Sequence, residues 1–324
     1  MSERSASVAA VIKAGPEQPQ VVYRVSGNDG LLVEYGEIVL DLNIRMRVHA
    51  LELAIEQAEI PGIVETCPGV RSLLILFDGS SLSLAKLLDA LQSIEKDLNA
   101  SIPEKVASRI VRLPIAFNES AVRAALDKYM QGVRAEGPYL PVNIEFVARA
   151  NGLSGTEEVM QFMLDSPYLV LGLGDVYLGA PCATAYDPRK RMVVPKFNPA
   201  RIWTAEGTVG LGGAFLCIYP MNSPGGYQLV GRTLPIWNTF QTNSAFKDGP
   251  WLLRNFDKIE FTKVEEAELN ELRDKATDPE FAWDITDDVF DIKAYNAFLK
   301  SIESEVEAFN AQQREAIDKA IVGY

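Results

Sequence analysis

The 324-residue chain sets 44 Asp and Glu against 31 Lys and Arg, a formal net charge of −13, with hydrophobic residues at 48%. That length and apolar content suit two modest domains with connecting pieces, and the acidic balance disfavours nucleic-acid backbones and anionic membranes as main partners, since both are bound through clustered Lys and Arg. No run of ~18 apolar residues is available to span a bilayer, and the start lacks the charged-then-apolar order of a secretory signal, so a cytoplasmic protein is expected.

In chain order, residues 1–20 are small, polar and Pro-containing, and are expected to form a mobile leader. Residues 21–25 and 31–35 read as strands joined across Gly27-Asn28-Asp29-Gly30, with 37–40 extending the sheet. Ile44, Val48, Leu51, Ile55 and Ala58 recur at steps of four and three, one face of a helix that stops before Pro61-Gly62. This helix carries His49, the only histidine, with no Cys or His at ligand spacing, so a histidine-rich zinc site is excluded and no metal is expected. Short strands at 63–66 and 72–77 precede a second helix capped by Ser83, with Leu84, Leu87, Leu88, Leu91, Ile94 and Leu98 on one stripe. A strand at 109–115 completes the expected first domain, an α/β sandwich over 21–117.

Residues 118–166 read as a helical connector, with helices at 120–130 and 142–150 and a third after the capping-box pattern Ser154-Gly155-Thr156-Glu157. From 167 to 262 the texture becomes short β-like runs, at 168–171, 209–211, 215–219, 227–230 and 236–237, which predict a compact barrel. The tail, 263–324, starts beside a second capping-box pattern, Thr262-Lys263-Val264-Glu265. Its stripe of Tyr295, Phe298, Leu299, Ile302, Val306 and Phe309 requires a packing partner. Cys67, Cys182 and Cys217 are odd in number and set among apolar neighbours, which predicts reduced core thiols. The fold class is α+β.

The most informative segment begins where Pro188-Arg189-Lys190-Arg191 leads into Val194-Pro195-Lys196-Phe197-Asn198-Pro199-Ala200-Arg201-Ile202-Trp203-Thr204. Glycines follow at 207, 210, 212 and 213, then Ile218-Tyr219-Pro220 and Ser223-Pro224-Gly225-Gly226-Tyr227-Gln228-Leu229-Val230-Gly231-Arg232-Thr233. These blocks resemble the KipI-like, or allophanate hydrolase subunit 1, family, whose pattern includes Ser-Pro-Gly-Gly-(aromatic)-x-x-(aliphatic)-Gly-Arg-Thr. Within it, residues 196–204 look like the version found in the carboxyltransferase region of urea carboxylases and urea amidolyases, as does the lead-in at 168–181. The resemblance continues through Leu42-Asn43 and Pro250-Trp251-Leu252-Leu253-Arg254, covering nearly everything after the leader.

The resemblance implies an N-terminal ferredoxin-like domain and a C-terminal cyclophilin-like β-barrel. It also implies the chemistry of a biotin-dependent urea carboxylase: transfer of a carboxyl group from carboxybiotin to a urea nitrogen, giving allophanate. Such a site places donors where charge develops and excludes water. Lys196, Asn198, Gln228 and Arg232 are the residues expected to carry catalysis, and Asp175, Arg191, Trp203, Tyr227, Gly225 and Gly226 to bind substrate. Each has a plainer alternative. Arg232 either meets a carboxylate or holds a turn through backbone carbonyls, Trp203 and Tyr227 either stack on the biotin bicycle or pack, and Asp175 either accepts N–H bonds or is a solvated turn aspartate. The glycines at 207–213 fit barrel bends better than a phosphate cradle.

The chain has no Ala-Met-Lys-Met biotin site and no ATP-grasp region. Biotin is therefore expected on a separate carrier domain, charged by a biotin carboxylase component, and the site is expected to need a KipA-like, or allophanate hydrolase subunit 2, half. The chain alone is expected to be inactive. Alternatives are a guanidine carboxylase component, a protein like the KipI-type component of 5-oxoprolinase, and a non-catalytic KipI-like inhibitor of a histidine kinase.

Overall fold

The structure, a computed structural model, describes residues 7–16, 18–174 and 177–321. The chain divides into two compact units, Met1–Val106 with Asp291–Ala294, and Ala107–Phe290 with Tyr295–Tyr324.

The first unit lays two helices on an antiparallel five-stranded sheet. Its strands are β1 (Val8–Ile12), β2 (Val21–Ser26), β3 (Gly30–Tyr35), β4 (Ile63–Pro68) and β5 (Ser72–Phe77), in the order β1-β2-β3-β5-β4, and its helices are α1 (Leu42–Ala58) and α2 (Leu84–Ser101). The β2–β3 hairpin turns on Gly27, whose φ of 70° favours glycine. Asp41 caps α1 by accepting from Asn43 N at 2.8 Å, and Ser83 caps α2 by accepting from Lys86 N at 3.4 Å. The period-two faces of β2, β3 and β5 bury Val21, Tyr23, Leu31, Val33, Leu73 and Ile75 against Val48, Leu51, Leu87 and Leu91. Arg45, Arg47 and Glu95 are buried here, and Glu95 accepts from Arg47 Nε at 3.0 Å and Tyr35 OH at 2.8 Å, which satisfies both of its oxygens.

Three expectations are corrected here. The stretch expected to be a mobile leader contains β1, paired along β2. Residues 37–40 form no strand. Cys67 lies exposed on β4, an edge strand, rather than in the core, whereas Cys217 is buried; no disulfide joins any of the three cysteines.

The second unit is built on β6 (Lys105–Phe117), β7 (Tyr168–Leu173), β8 (Pro181–Ala185), β9 (Arg201–Thr204), β10 (Thr208–Gly212), β11 (Phe215–Ile218), β12 (Ser223–Gly225), β13 (Gln228–Arg232), β14 (Lys258–Lys263) and β15 (Ile285–Asp291). Its main sheet runs β13-β10-β11-β8-β7-β14-β6-β15, and β13 also pairs with β6, so seven strands close into a ring. Closure depends on the length of β6: residues 110–115 run parallel to β14, while Ala116 and Phe117 reach Arg232 and Gly231 of β13. The strand expected at 109–115 therefore exists but pairs in the second sheet. Periodicity identifies a strand without identifying its partner.

Five helices complete this unit: α3 (Ser120–Gly132), α4 (Asn143–Ala150), α5 (Thr156–Asp165), α6 (Glu266–Lys275) and α8 (Glu303–Ala320), with α7 (Ile292–Ser301) leading into α8. The connector helices are core elements, since Val122, Leu126, Tyr129, Ile144, Val147, Val159 and Met163 are buried in one cluster with Val209, Leu211, Leu216 and Ile218 of the ring. Ahead of α5, Ser154 N and Oγ both donate to Glu158, one residue beyond the predicted box partner. The second predicted box is absent: Thr262 lies in β14, and Glu265 at the start of α6 makes no side-chain cap. In the tail α6 precedes β15 and α7 and α8 follow it, and the predicted stripe packs on its own unit, through Tyr295 and Phe298 on Tyr186 and Phe309 on Phe162. Among the described residues no helix is long and apolar enough to cross a membrane, and no cluster of His, Cys, Asp and Glu is placed to hold a metal ion.

Candidate functional site

Strand alternation on the ring sends Val209, Leu211, Leu216 and Ile218 to the buried cluster and turns Gly210, Gly212 and Cys217 the other way. Tyr227 lies across that second face. A Cβ on Gly212 would meet its ring at 2.5 Å and one on Gly210 its Cβ at 2.9 Å, while Ala180 and Cys217 complete the contact. These two glycines are the floor on which an aromatic ring rests. Above the ring stands Lys196, exposed, with Nζ 4.5 Å from the ring centroid.

The loop that presents Lys196 is fixed from both sides. Phe197 N donates to Gly226 O at 2.6 Å, and Gln228 Nε2 to Pro195 O at 2.8 Å. Gln228 is fully buried, and among the described residues its Oε1 has no hydrogen-bond partner. Beyond Lys196, Tyr129 OH donates to Pro199 O at 2.9 Å and Tyr139 OH to Asn198 O at 3.3 Å, with the Phe197 ring 4.1 Å from that of Tyr139. Asn198, two residues on from Lys196, is exposed. Gly225 is buried against Tyr219, whose hydroxyl fills the place a Cβ would take, and a Cβ on Gly226 would meet Lys196 Cβ at 3.5 Å.

The residue that sequence reasoning passed over is Arg201, 1% exposed. Its guanidinium donates to Thr204 Oγ1 at 3.3 Å, Tyr227 O at 2.6 Å and Tyr219 OH at 3.2 Å, and lies 4.5 Å from the centroid of the Phe197 ring. It forms no ion pair among the described residues. Burial presses its pKa down, opposed by the neighbouring tyrosines. Arg201 thus ties β9 to Tyr227 in the bend between β12 and β13. The signal for it in the sequence was the run Phe197, Arg201, Tyr219, Tyr227, which only the fold brings together.

Other predicted residues lie elsewhere. Gln228 and Arg232 sit at opposite ends of β13, about 13 Å apart along an extended strand. Arg232 donates from Nε to Glu206 O at 2.8 Å and stands 3.8 Å from the Glu206 carboxylate, which also takes Arg273. Its pKa is lowered first by burial, then by Arg273. Arg191 donates to Ala185 O at 2.9 Å and Tyr295 OH at 2.7 Å, anchoring α7. Trp203 packs beside α3 with Lys128 Nζ 3.7 Å from its ring centroid. Asp175 lies outside the described residues. The structure therefore gathers Lys196, Asn198, Gly225, Gly226, Tyr227 and Gln228 around one loop, and leaves Arg191, Trp203 and Arg232 in other contacts.

A surface-exposed ammonium over a ring, an exposed amide two residues on and a buried amide bracing the same loop suit the recognition of a small planar, partly anionic group. Residues 21–247 match the family of the carboxyltransferase domain, subdomain C and D, and the chain belongs to that family. It is homologous to the carboxyltransferase region of urea carboxylases. It is 42% identical over 296 residues to the urea amidolyase of Lachancea kluyveri, covering 91% of this chain and 16% of that protein. It superposes on the crystal structure of the Kluyveromyces lactis urea carboxylase with a TM-score of 0.89 at 38% identity, over 99% of this chain and 29% of that one. A 5-oxoprolinase subunit of Bacillus subtilis is 26% identical over 258 residues, which is 95% of that protein but 77% of this chain. The chain thus spans less than a third of the urea-processing relatives it matches.

Proposed function

We propose that this chain is the KipI-like half of the carboxyltransferase of a biotin-dependent urea carboxylase, moving a carboxyl group from carboxybiotin to a urea nitrogen to give allophanate. The observation that carries the reading is the likeness to the Kluyveromyces lactis urea carboxylase over 99% of this chain, tail included. The smaller oxoprolinase subunit leaves nearly a quarter of the chain without a counterpart. In this reading the first unit is the ferredoxin-like part and the closed ring the cyclophilin-like part.

The residues fit such a group: among the described residues Lys196 has no carboxylate partner and Gln228 Oε1 is a buried acceptor without a donor. Carboxybiotin, presented by a separate carrier domain, would supply an activated carboxyl on its ureido nitrogen. Lys196 binds the carboxylate as a point charge, and Asn198 orients the urea amide groups. Tyr227 supports the lysine stem, and Gln228 holds the loop that carries both. Arg232 and Arg191 act at a distance, by holding the turn at Glu206 and the helix α7. A KipA-like half closes the site against water.

The test is carboxyl transfer with biotinylated carrier and biotin carboxylase, with and without the KipA-like half, offering urea, guanidine and 5-oxoproline. Urea-dependent transfer by the complex alone is expected. Transfer by the lone chain, or a higher kcat/KM for guanidine or 5-oxoproline, would overturn the proposal. In the complex, Lys196→Ala is expected to lower kcat by about 10²-fold while leaving the circular dichroism spectrum unchanged.

A further inference from the structure

The strap from Arg191 to Phe197 is fastened at nearly every residue. Val194 and Gly213 exchange N–H···O bonds of 3.1 and 2.8 Å, and Pro195 and Phe197 are held by Gln228 and Gly226, all within the ring unit's sheet and its turns. Beside the bonds of the Arg191 side chain, two further fastenings near its start come from α8 and the end of α4. Val193 N donates to Asn151 Oδ1 at 2.8 Å, and Arg191 O accepts from Gln313 Nε2 at 2.8 Å. Gln313 Nε2 also donates to Asn151 Oδ1 at 2.6 Å, and Asn151, fully buried at the end of α4, is fixed by its Nδ2 donating to Val147 O at 2.8 Å. One side-chain amide of the tail therefore grips the strap twice, directly and through Asn151.

The character of α8 makes this contact stand out. Its 18 residues are mostly charged and polar, and Gln313 is the one that is buried. A helix seated for apolar burial would bury Leu or Ile there; this one buries a double donor between two acceptors.

We propose that Gln313 is a positioning residue, through which the tail helix sets the seat of the Lys196 strap over Tyr227. The inference rests on the functional reading above and assigns the tail a task within it. Three variants of the full chain test it. Gln313→Ala removes the amide, and Gln313→Glu keeps its size but replaces the donor with acceptors. Gln312→Ala, a neighbour on α8 whose Nε2 donates to Gly152 O at 2.8 Å, loosens the helix without touching the strap.

Amide hydrogen exchange at Val193 and Val194 is expected to quicken about tenfold in both Gln313 variants and to stay near wild type in Gln312→Ala. In the complex with the KipA-like half, Gln313→Glu is expected to lower kcat for urea about tenfold with KM for urea unchanged. Unchanged exchange at Val193 and Val194 in Gln313→Glu, or an equal rise in Gln312→Ala, would sink the proposal. A wild-type complex that transfers no carboxyl group defeats the functional reading instead, and the exchange comparison still decides whether Gln313 holds the strap.

Discussion

At the scale of single residues, Arg201 sets the terms for the site. A guanidinium reaches three oxygens in different directions because its donors fan out in a plane, and a lysine's point-like ammonium does not. Arg201→Lys keeps the charge but strands acceptors in a buried place, and is expected to lower unfolding free energy by about 2–4 kcal/mol in urea denaturation. Gly212 makes a complementary demand: the ring it accommodates sits 2.5 Å from where a Cβ would be. Gly212→Ala is therefore expected to cost about 1–3 kcal/mol, read as a lower thermal midpoint, and an unchanged midpoint would mean that the Tyr227 ring is free to slide. Tyr219 adds a pH signature. Burial, ahead of every other influence, raises its pKa from 10.0 to about 12. A raised pKa means the neutral phenol is favoured in the folded state, so its contribution is intact below pH 10 and is lost as pH rises towards 12. Stability should fall across that interval in alkaline titration, and more shallowly in Tyr219→Phe.

At the scale of elements, Asn143 shows how a helix is joined to a strand at an irregularity. The pairing of β10 with β13 shifts register between Val209 and Gly210, and Leu229 N, in that stretch, donates to Asn143 Oδ1 at 2.8 Å. The same side chain donates to Tyr139 O at 2.7 Å, holding the ring that packs on Phe197. Asn143→Ala orphans a buried donor and a buried acceptor, and about 2–3 kcal/mol of stability should be lost by chemical denaturation. The helices were the most legible elements, because α1, α2, α3 and α4 each repeat apolar residues at helical spacing and Ser83 caps as its position suggests. The strands were less so. β1 hides in a short stretch that neighbouring Gly and Pro make look like a leader, and β9 and β12 are a four- and a three-residue strand that pair only with each other. The site divides the same way: Lys196, Asn198 and Gln228 are conspicuous side chains in one motif, whereas Arg201 looks like a surface arginine until Tyr219 and Phe197 close over it.

At the scale of the whole molecule, two hydrophobic clusters serve the two units separately. One lies between β2, β3, β5 and α1, α2; the other joins the ring to α3, α4 and α5. Each is large enough to melt cooperatively, and calorimetry is expected to show two components rather than one. A single component whose calorimetric and van't Hoff enthalpies agree would show instead that the units unfold together. The first unit is not contiguous in sequence. Asp291–Ala294 belongs to it, with Ile292 N donating to Glu104 O at 3.0 Å, Asp291 paired with Lys105 at 3.3 Å and Lys293 paired with Glu104.

That return has a consequence for biosynthesis. The ribosome releases the chain from its N-terminus at about 5–20 residues per second, so the strand and helix pieces of the first unit emerge roughly 10–40 s before the segment that fastens them. In between, every strand of the ring must leave the exit tunnel. The nascent first unit spends that interval with its fastening incomplete, and a segment translated after the strands of the ring secures an earlier part of the protein.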